Sequence, residues 1–193
     1  MNAKNQLRVV VAGAGYGGLA AVRCLARNPH VQVTLIDQHA YHLLQFQLHE
    51  AAVSKIDVEA LAIPLPALLS RSVKFVQARI TGFDLDQYLV KTDCGDFSYD
   101  RLIIALGSQP ATYNIPGLNE HALMLKSVKN ARQIRGHFEI ILSGLKTRSS
   151  STPYPIMIGG AGITGVELAA ELSEGLAHLT RKYDLDRDAV KLI

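Results

Sequence analysis

Twice along this chain an apolar run opens into a G-x-G-x-x-G turn, and each turn opens into a helix-spaced apolar pattern. The first copy is Gly13/Gly15/Gly18, with Gly17 and Tyr16 between them; the second is Gly160/Gly162/Gly165. Arg8–Ala12 precedes the first as a short β-branched run, and Pro155–Ile158 precedes the second. The three glycines of such a turn have separate tasks. The first permits a tight bend, the second lets a pyrophosphate approach the backbone, and the third lets helix and strand pack closely. The phosphates then meet free N–H groups at the positive end of the helix. One such turn is a weak signal, because glycine-rich bends have many uses. The first copy, however, has its whole context. Leu19, Val22 and Leu25 recur at helical spacing, Asn28-Pro29 ends that helix, and Val31–Ile36 reads as a second apolar strand. Asp37 closes this strand 19 residues after Gly18, where a carboxylate suits ribose hydroxyls. A strand–helix–strand unit of about 30 residues demands a crossover and a parallel pair, so the expected class is α/β.

The rest of the chain is read more coarsely. Leu43–Val53 reads as helical, and Pro64 and Pro66 interrupt the run near Leu61–Leu69. Val73–Asp84 and Gln87–Thr92 read as two strands of a small antiparallel insertion, with a turn at Cys94-Gly95-Asp96. Leu102–Leu106 reads as a further buried strand ending at Gly107. Asn130–Leu142 has helical periodicity, and a polar loop is expected over 144–154. A long helix from Val166 to about Lys182 follows the second glycine turn, and Val190–Ile193 begins one more strand.

Bulk properties exclude several classes. At 193 residues, 48% hydrophobic and 19% charged, the composition is that of a globular protein, long enough for one domain and part of another. The net charge of +3 is scattered without blocks of like charge, which argues for a solvated surface and against a nucleic-acid face. Cys24 and Cys94 form no CxxC, so neither a disulfide framework nor a zinc site is expected. Cys24 reads as a small hydrophobe packed within the first helix. His39, His42 and His49 have no thiol or acidic cluster beside them, and no metal is expected. Lys4 and Arg8 ahead of Val9-Val10-Val11-Ala12 imitate a signal peptide, but the glycines at 13, 15, 17 and 18 end the apolar run. There is no stretch of 18 apolar residues, so the expected location is cytoplasmic.

Four segments together resemble the two-dinucleotide flavoprotein reductases, and in particular the type II NADH dehydrogenases, single-subunit NADH:quinone oxidoreductases. They are Val9 to Ala20, Val33 to Asp37 with Tyr41-His42, Tyr99 to Ser108, and Gly159 to Glu167. The resemblance runs over nearly the whole chain. It implies a Rossmann-like FAD/NAD(P)-binding fold: a parallel sheet with a small antiparallel β insertion, and a second nucleotide domain cut short. FAD would occupy the first loop and NAD(H) the second. Gly13, Gly15, Tyr16, Gly17 and Gly18 would cradle the FAD diphosphate, and Asp37 would hold the adenosine ribose. The backbone near Ile80 would meet the adenine, and Ala105, Leu106 and Gly107 would pass close to the flavin's nucleotide. His42, with Gln45 and Gln47, would run near the flavin, where Phe46 stands in place of the proline common in relatives. Gly160, Gly162, Ile163, Thr164 and Gly165 would bind NADH phosphates. Glu167 matches an acidic residue near the nicotinamide–flavin contact; without the resemblance it reads as a first-turn helix glutamate.

The same resemblance sets limits. Residues 38–60 contain no cysteine, which argues against disulfide-reducing chemistry. The expected division is a FAD-binding domain over 1–115 and the start of an NAD(P)H-binding domain over 116–193. The acid that separates NADH from NADPH would fall beyond Ile193, as would the C-terminal part by which relatives sit peripherally on the cytoplasmic face of the membrane. Little NADH:quinone turnover is expected of the 193 residues alone. The alternatives are a non-catalytic FAD-binding fragment and a ferredoxin- or other carrier-linked reductase. A homodimer is compatible with the family.

Overall fold

The computed structural model describes residues 6–53, 55–147 and 152–193. The elements through the first glycine loop and its sheet are β1 (Leu7–Ala12), α1 (Tyr16–Leu25), β2 (Val31–Asp37), β3 (Tyr41–Leu43), α2 (Leu48–Ala52), β4 (Ala62–Pro64), β5 (Val73–Gln77), β6 (Ile80–Asp84), β7 (Leu89–Thr92), β8 (Gly95–Ser98) and β9 (Arg101–Ile104). They are followed by α3 (Leu118–His121), α4 (Val128–Lys146), β10 (Tyr154–Ile156), α5 (Ile163–Lys182) and β11 (Val190–Leu192). The chain falls into two compact units, Met1–Leu43 with Ile63–Gln109 and Leu44–Ala62 with Pro110–Ile193. The stretch after β3 therefore groups with the later unit.

The first unit is built on a parallel sheet in the order β5-β2-β1-β9. Both faces of its central strands are covered, which is why β1 and β2 read as continuous apolar runs. Side chains alternate between the faces. Val9, Val11, Val33 and Leu35 pack with Val22 of α1, whereas Val10 and Ile36 pack with Ala78, Val90 and Tyr99. The antiparallel insertion is a three-stranded meander, β6-β7-β8. In the second unit β10 and β11 pair in parallel, and Leu142, Leu176, Leu179 and Val190 form a core cluster.

Several expectations change. Val73–Asp84 is not one strand of the insertion. Its first half, β5, pairs in parallel with β2, and its second half, β6, pairs with β7. The switch occurs at two peptides: Ala78 N–H donates to the Asp37 carbonyl at 2.9 Å, and Arg79 N–H donates to the Asp93 carboxylate at 2.9 Å. Alternation is the same in both halves, so the pattern carries no sign of the change. The insertion also has a third strand, β8. Leu102–Leu106 is not a buried strand: pairing stops at Ile104, which is 57% exposed, and among the described residues β9 is an edge strand paired only with β1. Leu43–Val53 is helical only over α2 and a preceding single 3-10 turn at Gln45–Gln47, since Leu44 takes a non-helical backbone (φ −74°, ψ 73°). α4 reaches Lys146, so the polar loop expected over 144–154 begins later; its middle, 148–151, lies outside the described residues. Thr147 closes α4 by donating from Oγ1 to the Gly144 carbonyl at 2.9 Å, and Lys146 complements the helix dipole. Cys24 is exposed on α1, not packed.

Candidate functional site

The first glycine loop lies at the carboxyl end of β1. Gly13 has φ +103°, a conformation that a side chain disfavours, and a Cβ there would collide with the carbonyl of Ala105. The collision reflects a tight join: Gly13 N–H donates to the Ile36 carbonyl and Ala105 N–H to the Ala12 carbonyl, both at 2.8 Å. A Cβ on Gly18 would overlap the carbonyl oxygen of Gly13, so α1 can approach the loop only if that position is bare. Gly15 differs from both. Its φ is −71°, and among the described residues, its chain neighbours aside, no atom would lie within 4 Å of a Cβ there. Protein packing therefore gives no reason for glycine at 15, whereas a ligand approaching the backbone does. Among the described residues no side chain caps α1, which leaves the positive end of a ten-residue helix at that space. A diphosphate of FAD fits these features: an open cradle that a Cβ would fill, at an uncapped helix start. Tyr16 and Gly17 are exposed in the same turn.

The structure gathers Gly13, Gly17, Gly18, Asp37, His42 and Ala105 around this loop. The Ala105 Cβ would lie 3.6 Å from a Cβ on Gly18 and 3.9 Å from one on Gly17. Gly107, at φ +76°, turns the chain away after β9, and Leu106 is exposed. Asp37 accepts hydrogen bonds from Ala14 N–H (Oδ2, 2.7 Å) and His39 N–H (Oδ1, 2.8 Å). His42 is buried, packs edge-on against Tyr16 with ring centroids 4.6 Å apart, and places Nδ1 2.9 Å from the Ala14 carbonyl. Beside Asp37 is an open cavity of about 360 Å³ lined by Gln38, His39, Gln77, Ala78, Arg79 and Asp93. Ile80 does not line it; its side chain packs on the Val10 cluster. Of the cavity residues sequence reading assigned none to a nucleotide site, because they come from three separate segments that only the sheet brings together.

The second loop repeats the construction. Gly160 has φ +108°, a Cβ on Gly165 would overlap the Gly160 carbonyl oxygen, and Gly162 (φ −71°) has open space where a Cβ would be. Gly162 leaves α5 without a side-chain cap, and Ile163 and Thr164 are exposed at its start. Gly160, unlike Gly13, has no strand end against it among the described residues. Glu167 sits just past the first turn of α5, so the helix dipole is a poor account of it. Its Oε2 lies 3.5 Å from Nδ1 of His49 on α2. Further along the same face, Glu171 and Glu174 hold Lys55 at 2.5 and 2.9 Å, and this pairing pushes the Lys55 ammonium above its ordinary range. His49 and Lys55 were not found from sequence. The i, i+4, i+7 spacing of Glu167, Glu171 and Glu174 was the available signal.

A parallel sheet with a glycine turn at a strand's carboxyl end, a helix opened by that turn and a second such turn later in the chain make this a Rossmann-like α/β protein of the FAD/NAD(P) type. The chain belongs to the pyridine nucleotide-disulphide oxidoreductase family, whose model matches residues 7–186. It is 34% identical over 196 residues to the type II NADH:quinone oxidoreductase of Staphylococcus aureus (strain NCTC 8325 / PS 47), an alignment covering 98% of this chain and 49% of that protein. The chain thus spans about half the length of the curated relatives it matches. In fold it is similar to NDH2 from Plasmodium falciparum in complex with NADH, at TM-score 0.83 and 22% identity, over 97% of this chain and 41% of that one. It is also similar to the sulfide:quinone oxidoreductase of Aquifex aeolicus, at TM-score 0.65 and 19% identity, over 97% of this chain and 50% of that one.

Proposed function

We propose that this chain carries FAD on the Gly13–Gly18 loop and NAD(H) on the Gly160–Gly165 loop, within an oxidoreductase that passes hydride from NADH to FAD and electrons onward to a quinone. One observation supports this above the others. Two glycine loops in one chain reach the same backbone solution, each with a first glycine near φ +100° and a third glycine packed on the first one's carbonyl. The Staphylococcus aureus relative supplies the nicotinamide donor and the quinone acceptor.

FAD, held by the Gly13–Gly18 loop, would supply the hydride-accepting redox chemistry. The chain's residues bind and orient. The start of α1 and the bare Gly15 receive the diphosphate. Asp37 and the adjoining cavity face the adenosine, and the backbone near Ile80 meets the adenine. Ala105, Leu106 and Gly107 border the flavin's nucleotide. Gly160, Gly162, Ile163, Thr164 and Gly165 receive the phosphates of NADH, and Glu167 offers a carboxylate to the redox contact. In this reading 1–115 carries FAD and 116–193 begins the NAD(P)H-binding part. No helix among the described residues is long and apolar enough to cross a membrane. Peripheral attachment of the whole protein at the cytoplasmic membrane face, and a homodimer, belong to the same proposal.

The test is to purify the chain with FAD, record the flavin spectrum and add NADH without oxygen. Bleaching supports hydride transfer. A yellow protein that does not bleach reduces the reading to a binding module. A chain that takes up no FAD refutes the proposal. Turnover with a quinone, compared with a protein carrier such as ferredoxin, identifies the acceptor.

A further inference from the structure

Ala14 lies between the end of β1 at Ala12 and the start of α1 at Tyr16, so neither the sheet ladder nor the helix supplies partners for its backbone. It is nevertheless 2% exposed, and a buried N–H and C=O need partners. Both come from side chains far away in sequence. Asp37, at the end of β2, accepts from Ala14 N–H at 2.7 Å. His42, in the middle of β3, holds Nδ1 2.9 Å from the Ala14 carbonyl. A carbonyl can only accept, so Nδ1 of His42 carries the proton. The imidazole is 5% exposed and packed on Tyr16, the first residue of α1, so its position is set by packing. Asp37 is tied in turn to His39 N–H at 2.8 Å.

We propose that Asp37 and His42 are positioning residues, which clamp the two backbone polar groups of Ala14 and hold the Gly13–Gly18 turn in its receiving shape before any cofactor arrives. This rests on the reading of that turn as the FAD loop, but assigns the two side chains a role on the protein itself. A preset loop has less ordering to do on binding, so the clamp raises affinity beyond any contact Asp37 itself makes with the adenosine.

The test is amide exchange in the FAD-free chain, with FAD affinity measured on the same samples. Asp37→Ala and His42→Leu should each speed exchange of the Ala14 N–H about tenfold, roughly what a lost charge-assisted or buried hydrogen bond gives, while β1 amides stay protected. FAD affinity should weaken about tenfold with slower association. His42→Asn, whose amide nitrogen stands close to the place of Nδ1, should restore both. In the unmutated chain, ring nitrogen shifts should report the Nδ1–H tautomer of His42, a readout that needs no variant to fold. The proposal is overturned by the Nε2–H tautomer, by unchanged Ala14 exchange in both variants, or by His42→Asn behaving as His42→Leu. Weaker FAD binding with unchanged Ala14 exchange would make the side chains direct ligands and likewise overturn it. If the unmutated chain binds no FAD, the cofactor reading fails while the exchange data still decide the clamp.

Discussion

Alanine substitution at Gly15 and at Gly18 should separate binding from folding. At Gly15 the backbone suits any residue and, among the described residues and its chain neighbours aside, a Cβ meets no atom within 4 Å. Gly15→Ala should therefore leave the FAD-free chain within about 0.5 kcal/mol of the parent, with any change toward stabilisation. The same methyl occupies the space assigned to the diphosphate. Displacing one or two charge-assisted hydrogen bonds, at about 1.5–3 kcal/mol each, weakens FAD binding by at least about 10-fold. At Gly18 the obstacle is the backbone of Gly13, with a Cβ 2.9 Å from its carbonyl carbon and overlapping its oxygen. Overpacking against backbone costs up to about 3 kcal/mol, offset by about 1 kcal/mol for removing a helix glycine. The net, about 2 kcal/mol, lowers Tm by about 4–8 °C in a chain of this length. Thermal melts of the FAD-free variants and FAD titrations by flavin fluorescence read the two effects. Gly15→Ala binding FAD as well as the parent would refute the diphosphate assignment. Equal melting points for the two variants would refute the division of labour between the glycines.

Two further outcomes test the fold. Leu142, 1% exposed in the second unit's core, should cost about 2–5 kcal/mol when cut to alanine, read by urea unfolding; a loss under about 1 kcal/mol would contradict the packing. The Arg8 guanidinium and backbone N–H hold the Asp100 carboxyl down at about 2, against an ordinary value of 3.8. Because the folded value is depressed, this stabilisation is present above about pH 4 and is lost as pH falls toward 2. Asp100→Asn should flatten the acid limb of the stability profile in that window, followed by circular dichroism, and an unchanged limb would argue against the pairing.

The glycine turns, their flanking strands and helices, and Asp37 were legible because each is a local pattern: a run of apolar residues, a bend that needs bare backbone, an acid at a fixed offset. Glu167 carried less, since its meaning came from resemblance and its contact with His49 depends on α2 meeting α5. The cavity beside Asp37 was invisible, because Gln38, Gln77, Arg79 and Asp93 converge only when β5 joins the parallel sheet and the meander turns away at Ala78.

By itself, then, the sequence determined that two nucleotide-type turns are present, where they bend the chain, and which strand and helix flank each of them. Those are matters of backbone freedom and hydrophobic period, which act over a few residues. Only the tertiary structure decided which sheet β5 enters, that β9 lies on an edge, and that Asp37 and His42 both reach Ala14. Those depend on partners 23 to 92 residues apart, such as Ala14 with Asp37 and Arg8 with Asp100. No local period encodes a distant partner, and burial of otherwise unpaired polar groups makes such pairings specific.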